Sequence, residues 1–282
     1  MSVFSDPALQ RAMLGAALVA LSGAPLGVFL VLRRMSLIGD VMAHAILPGI
    51  AAAFILYGLS FTAMGIGGLV TGLAVALVAG FVARVTDLRE DASLAAFYLI
   101  AVAAGVLMIA LHGTAQNLED ILFGNAWALN SDMLRTVAAV CAITLGTLML
   151  MFRLLVAESF DPVFLRSVGG KGGLAHAVFM GLTVLNMVES YRAMGTLMSA
   201  GLMLIPAIAA QFWTQRLHRM IAVAVGIGMA GAASGLWIAF TYNVPSGPAI
   251  VLIVGGIYIL SLLFGKFGSV RARYFPFRHL QH

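Results

Sequence analysis

Long apolar runs, each closed by a charge, a Pro/Gly turn or an Asn, fill most of this chain and leave little choice of fold. They cover residues 12–32, 35–57, 61–83, 92–112, 132–155, 174–190, 194–213, 220–242 and 248–265. A helix needs about 20 mostly apolar residues to cross the hydrocarbon core of a bilayer. The expected fold class is therefore all-α: a polytopic membrane bundle of about nine transmembrane helices. The sixth run is short, and Glu189 and Arg192 stand between it and the seventh.

Composition narrows the function classes. Of 282 residues, 62% are hydrophobic and 10% charged, with a mean hydropathy of +1.04. A soluble domain carries about 25% charged residues, so this chain could not cover a globule with a wetted surface. That excludes a soluble enzyme, a disordered chain and, despite a pI near 9.8, a nucleic-acid binder. Met1 to Gln10 contain Asp6 and no basic residue. The signal-peptide layout is missing, and the first run reads as a permanent span. The single cysteine, Cys141, sits in an apolar run and permits no intrachain disulfide. The spans are rich in Gly, Ala, Ser and Thr, as in Met64 to Gly68 and Met229 to Gly235. Such residues let helix backbones approach closely in lipid.

Orientation follows from the Lys/Arg bias. With the N-terminus outside and the C-terminus cytoplasmic, 13 of the 16 basic residues fall on the inner side, leaving Arg11, Arg135 and Arg192 outside. The chain then divides into a membrane domain, residues 1–265, and a basic cytoplasmic tail, residues 266–282. Tyr274, Phe275 and Phe277 of the tail suit the membrane interface.

Asp40 is the only acid placed inside a span, and His44 follows one helical turn later. That spacing puts both on one helix face, about 6 Å apart along the axis. A carboxylate in the membrane interior costs about 2.5–3.5 kcal/mol on insertion scales, so it has to face protein, water or an ion. Carboxylate oxygen with imidazole nitrogen is a ligand set for Zn²⁺, Mn²⁺ or Fe²⁺. Two other readings stay open: the pair bonds to itself and pins neighbouring helices, or Asp40 is a boundary residue near Arg33 and Arg34. Pro48, one turn beyond His44, is expected to bend this span. His112, His176, His218, His279 and His282 read as interfacial.

The chain has no G-x-x-x-x-G-K-[ST] phosphate loop, no H-E-x-x-H and no G-x-S-x-G. It is not expected to be an enzyme or to hydrolyse ATP alone. Between the fifth and sixth runs, Asp161-Pro162 reads as an N-cap with proline at the first helical position, and Gly169 as the stop after it. A short helix over 161–169 is either a capped connector or a docking knob for a partner.

Several segments resemble the membrane permease subunit of zinc/manganese/iron-type ABC importers. Leu32-Arg-Arg-Met-Ser-Leu-Ile-Gly-Asp-Val-Met-Ala-His-Ala-Ile-Leu-Pro-Gly49 carries the resemblance. Leu88 to Ala95, Ile121 to Gly124, Ser159 to Pro162, Leu204 to Ala207 and Pro245 to Leu252 support it in order. The resemblance implies a homodimer in the bacterial plasma (inner) membrane, with a cytoplasmic ABC ATPase and an extracytoplasmic metal-binding protein as partners. It implies that Asp40 and His44 line the metal path, and that Asp161, Pro162 and Gly169 belong to the helix that engages the ATPase. No permanent cofactor is implied; the cargo is a divalent ion, with zinc favoured and manganese or iron as alternatives. Glu189 and Arg192 depart from the family pattern. They read as an interfacial ion pair, or else Glu189 helps admit a cation at the outer mouth. The competing function is a stand-alone secondary transporter or channel for cations. An intramembrane hydrolase is disfavoured by the missing motifs.

Overall fold

The computed structural model describes residues 6–35, 38–58, 60–86, 90–112, 127, 129–161, 165, 167, 169–170 and 172–274. The helices are α1 (Pro7–Leu32), α2 (Ile38–Ala45), α3 (Leu47–Tyr57), α4 (Phe61–Val85), α5 (Glu90–His112), α6 (Ser131–Phe160), α7 (Gly172–Met194), α8 (Thr196–Gln211), α9 (Leu217–Tyr242), α10 (Ser246–Phe264) and α11 (Val270–Tyr274). Seven of them, α1, α4, α5, α6, α7, α9 and α10, are long and apolar enough to cross a membrane. α3 and α8 are apolar but shorter. Among the described residues there is no strand. In lipid a spanning segment has to satisfy its backbone groups internally, which helices do.

Side-chain oxygens start three of the long helices. Asp6 accepts from the Ala8 N–H at 2.8 Å, with Pro7 at the first helical position. Ser60 accepts from Ala63 N–H, and Asn130 from Met133 N–H. Each occupies one of the donors that a helix N-terminus leaves unpaired.

α1 and α6 run toward one end of the bundle, and α7 runs back from it. The last residues of α1 and α6 and the first turns of α7 share one end of the bundle, where the Arg33 guanidinium meets Ser159 and His176. At the other end Gly15 of α1 faces Met194 of α7 and Leu134 of α6. Arg33, Arg34, Arg153, Arg216, Arg219, Lys266, Arg271 and Arg273 gather toward the first end; Arg11, Arg135 and Arg192 lie toward the second. The main core sits between α1, α2, α4, α5, α6 and α7. Its centre is Phe29, which meets Phe152 and Phe179 edge-on at 6.1 Å each. A buried polar clasp, Asn186 Nδ2 donating to Thr144 Oγ1, ties α7 to α6.

The run 35–57 is two helices rather than one bent span. The chain leaves the helix at Ile46, and Pro48 falls in the first turn of α3. There its missing N–H breaks no internal bond, so the interruption precedes the proline instead of centring on it. α3 then packs on α4 backbone against backbone. A Cβ on Gly49 would collide with the Gly67 carbonyl and the Thr71 hydroxyl, and one on Gly67 with the Gly49 carbonyl.

Gly49→Ala therefore has to push two helices apart. We expect it to destabilise the detergent-purified protein by about 1–3 kcal/mol, the usual range for overpacking. Gly146→Ala, on α6 with nothing within 4 Å of the added atom, leaves the thermal midpoint unchanged or raises it. Equal midpoints for wild type and Gly49→Ala would disprove the contact.

Candidate functional site

Helix α2 has two unlike faces. Ile38, Val41, Met42 and Ala45 are buried and follow helical spacing. Positions 40 and 44 share the opposite face by the same register. His44 is half-buried, and its ring lies against Tyr98 of α5, with centroids 6.4 Å apart and planes at 28°. The backbone of Asp40 belongs to α2; its side chain lies outside the described residues.

Three neighbouring helices fix α2 in place. The Tyr191 hydroxyl, buried on α7, donates to the Gly39 carbonyl at 3.0 Å. A Cβ on Gly39 would meet Leu204 Cδ1 of α8 at 2.7 Å and Met187 Cε of α7 at 3.5 Å. Tyr98 closes the side toward α5. The bond from Tyr191 reaches the residue directly before Asp40, so it sets the height and rotation of the turn that carries both expected ligands. Among the described residues no group of three or more His, Cys, Asp or Glu side chains gathers. A carboxylate and an imidazole at positions 40 and 44 offer a cation one hard and one borderline donor.

The segment after α6 is only partly described. Asp161 is the C-cap of α6 and not a plain N-cap: its N–H bonds Ala157 O, while its own carbonyl accepts from Leu165 N–H at 3.1 Å. Pro162 lies outside the described residues. Leu165 is helical and buried, and Gly169 has φ +72. The Gly170 N–H closes onto Leu165 O at 2.8 Å, the bond that ends a helix at a left-handed glycine.

Of the other histidines, His176 is part-buried beside Arg33, with Nδ1 3.4 Å from Nη1. His218 stacks on Phe152 at 5.0 Å. The His112 side chain, His279 and His282 lie outside the described residues, as do Ile121 to Gly124 and Leu88 to Arg89. Sequence reasoning missed Tyr191, Tyr98 and Ser159. The signal for Tyr191 was available: a hydroxyl inside an apolar segment has to find an acceptor. Its partner, 152 residues away, was not.

Glu189 and Arg192 do pair, Oε1 to Nη1 at 2.6 Å, and they are enclosed, with side chains 16% and 23% exposed. The guanidinium lies flat on α4, where a Cβ on Gly65 would meet it at 2.8 Å. The pair Asp132–Arg135 has the same spacing at 3.1 Å, but its side chains are 85% and 80% exposed. Arg192→Ala strands a largely buried carboxylate and should cost about 1.5–3 kcal/mol in thermal or denaturant unfolding. Arg135→Ala removes a solvated pair and should leave the midpoint unmoved. Equal effects would show that the Glu189–Arg192 pair is as open as the other.

Comparison with known proteins gives the following. The sequence pattern of the ABC 3 transport family matches residues 5–265. A manganese transport system membrane protein of Halalkalibacterium halodurans is 32% identical over 267 residues, covering 94% of this chain and 90% of its own length. A chelated iron transport system membrane protein of Yersinia pestis is 28% identical over 270 residues, covering 96% and 90%. Among solved structures, PsaBC from Streptococcus pneumoniae in complex with Fab superposes with a TM-score of 0.83 at 28% identity, covering 96% of this chain and 97% of the other.

Proposed function

Because the chain belongs to the ABC 3 transport family, we propose that it is the membrane permease of an ATP-driven importer for a divalent transition-metal ion. It is a multi-pass bacterial membrane protein. In this reading the α2–α3 pair and α8 join the seven long helices to make nine crossings. The end that gathers most of the basic residues is cytoplasmic, in keeping with the charge bias of inner loops. Residues 1–265 form the permease domain and 266–282 a cytoplasmic tail.

The observation that carries the proposal is α2 itself. It is a short helix, interrupted at Ile46 and seated between α5, α7 and α8, with positions 40 and 44 on one face. A broken helix beside ionisable side chains is what a binding element at membrane depth requires. Asp40 supplies charge and His44 a neutral nitrogen to the passing ion. Two copies of the chain enclose the path, and alternating access exposes it first to an extracytoplasmic metal-binding protein and then to the cytoplasm. ATP hydrolysis on a partner ABC ATPase drives the change through the 161–169 segment. The relatives named above are manganese and iron proteins. We therefore rank manganese ahead of zinc, whose claim rests on overall likeness alone.

Two experiments test this. Asp40→Ala and His44→Ala should reduce radiolabelled manganese uptake to the metal-free background while the chain stays folded and bound to its ATPase. Wild-type uptake by both variants would overturn the site. Competition by zinc and iron in a strain lacking other importers ranks the cargo. Gly169→Val forces a β-branched residue to φ +72, a region such residues avoid. It should leave ATP hydrolysis running without transport. Unchanged coupling would remove the 161–169 segment from the mechanism.

A further inference from the structure

The corner between α1 and α2 is held by backbone hydrogen bonds on both sides. α1 ends in two closing bonds, Arg34 N–H to Val31 O at 3.0 Å and Met35 N–H to Leu30 O at 2.9 Å. Between them Arg34 holds φ +59, a left-handed conformation that a non-glycine residue adopts only when its surroundings impose it. Met35 is buried and its carbonyl accepts from the first N–H of α2, Ile38, at 3.1 Å. From Arg33 to the start of α2 is five residues, and the chain is tied down on both sides of the two that are not described.

Arg33, at the C-cap of α1, points away from this corner and into the base of the α6–α7 hairpin. Its Nε donates to Ser159 Oγ at 2.9 Å, and Nη1 lies 3.4 Å from His176 Nδ1. Its Cζ sits 4.5 Å over the ring of Phe179, a buried side chain. The Ser159 hydroxyl is itself aimed by donating to Leu155 O at 2.6 Å, which leaves its lone pairs for the guanidinium. Ser159 immediately precedes the 161–169 segment, and His176 and Phe179 follow it. The same base is closed by the Glu158 carboxylate against Gly172, and by Leu165 against Gly170 and Gly172, where an added Cβ would collide. One guanidinium thus joins both flanks of the segment to the end of α1, five residues before α2 begins. Planar, forked and always charged, it can hold a hydroxyl, an imidazole and an aromatic face together, which an ammonium cannot.

We propose that Arg33 is the positioning residue through which movement of the 161–169 segment reaches the helix carrying Asp40 and His44. When the segment is displaced, Ser159 and His176 move with it. Arg33 follows because three contacts hold it, and the backbone bond from Ile38 N–H to Met35 O ties the end of α1 to the start of α2 and passes the displacement on. Arg33 touches neither the transported ion nor ATP. The proposal rests on the permease reading given above.

The test uses the full chain, co-purified with its ATPase and reconstituted with its extracytoplasmic binding protein and manganese. Arg33→Gln should assemble with the ATPase, hydrolyse ATP at the basal rate and lose about ten-fold in metal transported per ATP hydrolysed, within the usual range of coupling between sites. Arg33→Lys should recover part of that loss. Arg135→Ala, which removes a charge from a solvated pair at the other end of the bundle, should transport as wild type does. Should Arg33→Gln fail to assemble, Ser159→Ala takes its place: it removes only the acceptor and should lower transport per ATP without changing assembly. Wild-type stoichiometry in Arg33→Gln, or in Ser159→Ala where that variant is used, would overturn the proposal while leaving the permease reading intact. Loss of transport in step with loss of thermal stability, with no rescue by lysine, would reduce Arg33 to a structural tie and overturn it equally. A wild-type complex that carries no metal would refute the permease reading itself, and the proposal with it.

Discussion

Helix backbones in this bundle touch, and the architecture around α2 depends on that contact. Lipid chains are as apolar as leucine, so burying hydrocarbon between helices gains little; close packing and hydrogen bonds have to hold the bundle together. Glycine makes the approach possible. Gly49 and Gly67 bring α3 against α4, Gly27 brings α1 against the Met203 carbonyl of α8, and Gly235 brings α9 against the backbone of α10 at Ile250. With the neighbours drawn in this far, an eight-residue helix too short to be stable alone is clamped on several sides. It can carry ionisable side chains without relying on its own length.

The polar contacts inside the bundle follow one logic. Ser22, Thr183, Asn186, Tyr191 and Ser199 each donate to an acceptor, and the bonds that cross between helices sit where relative height matters. Asn186 to Thr144 fixes α7 against α6, Tyr191 to Gly39 fixes α7 against α2, and Ser93 to Ala79 fixes α5 against α4. α7 is the common member of the first two. It also carries the enclosed Glu189–Arg192 pair on its side facing α4. A helix held by such bonds on several faces moves as a rod.

Much of this was legible in the sequence, and the limits have physical causes. Apolar runs gave the approximate bounds of the seven long helices, because lipid demands length and hydrophobicity from each one separately; the other two of the nine runs, 35–57 and 194–213, hold shorter helices. That positions 40 and 44 share one helix was legible for the same reason, being a property of one segment. The break at Ile46 was not, because Pro48 marks only the neighbourhood of an interruption and the first turn of a new helix tolerates it. The Asp161-Pro162 signature read as a helix start, yet Asp161 also ends α6, since one residue can serve both helices across a tight turn. Partnerships across more than a hundred residues, such as Arg33 with Ser159 and His176 or Tyr191 with Gly39, leave no local trace. Tyr191 and Arg33 carry polar groups that need partners, and only the fold supplied them.

The length of α6 has a consequence of its own. Thirty residues at about 1.5 Å each make a rod of about 45 Å, while the oily slab it crosses is about 30 Å thick. Even with an ordinary tilt, about 10 Å of it stands proud of the slab. Asp161 caps its tip like the handle of an oar. With its headgroups the bilayer is about 40–45 Å thick, so a protein gripping that handle works at the level of the lipid headgroups, and the grip should respond to which lipids surround it.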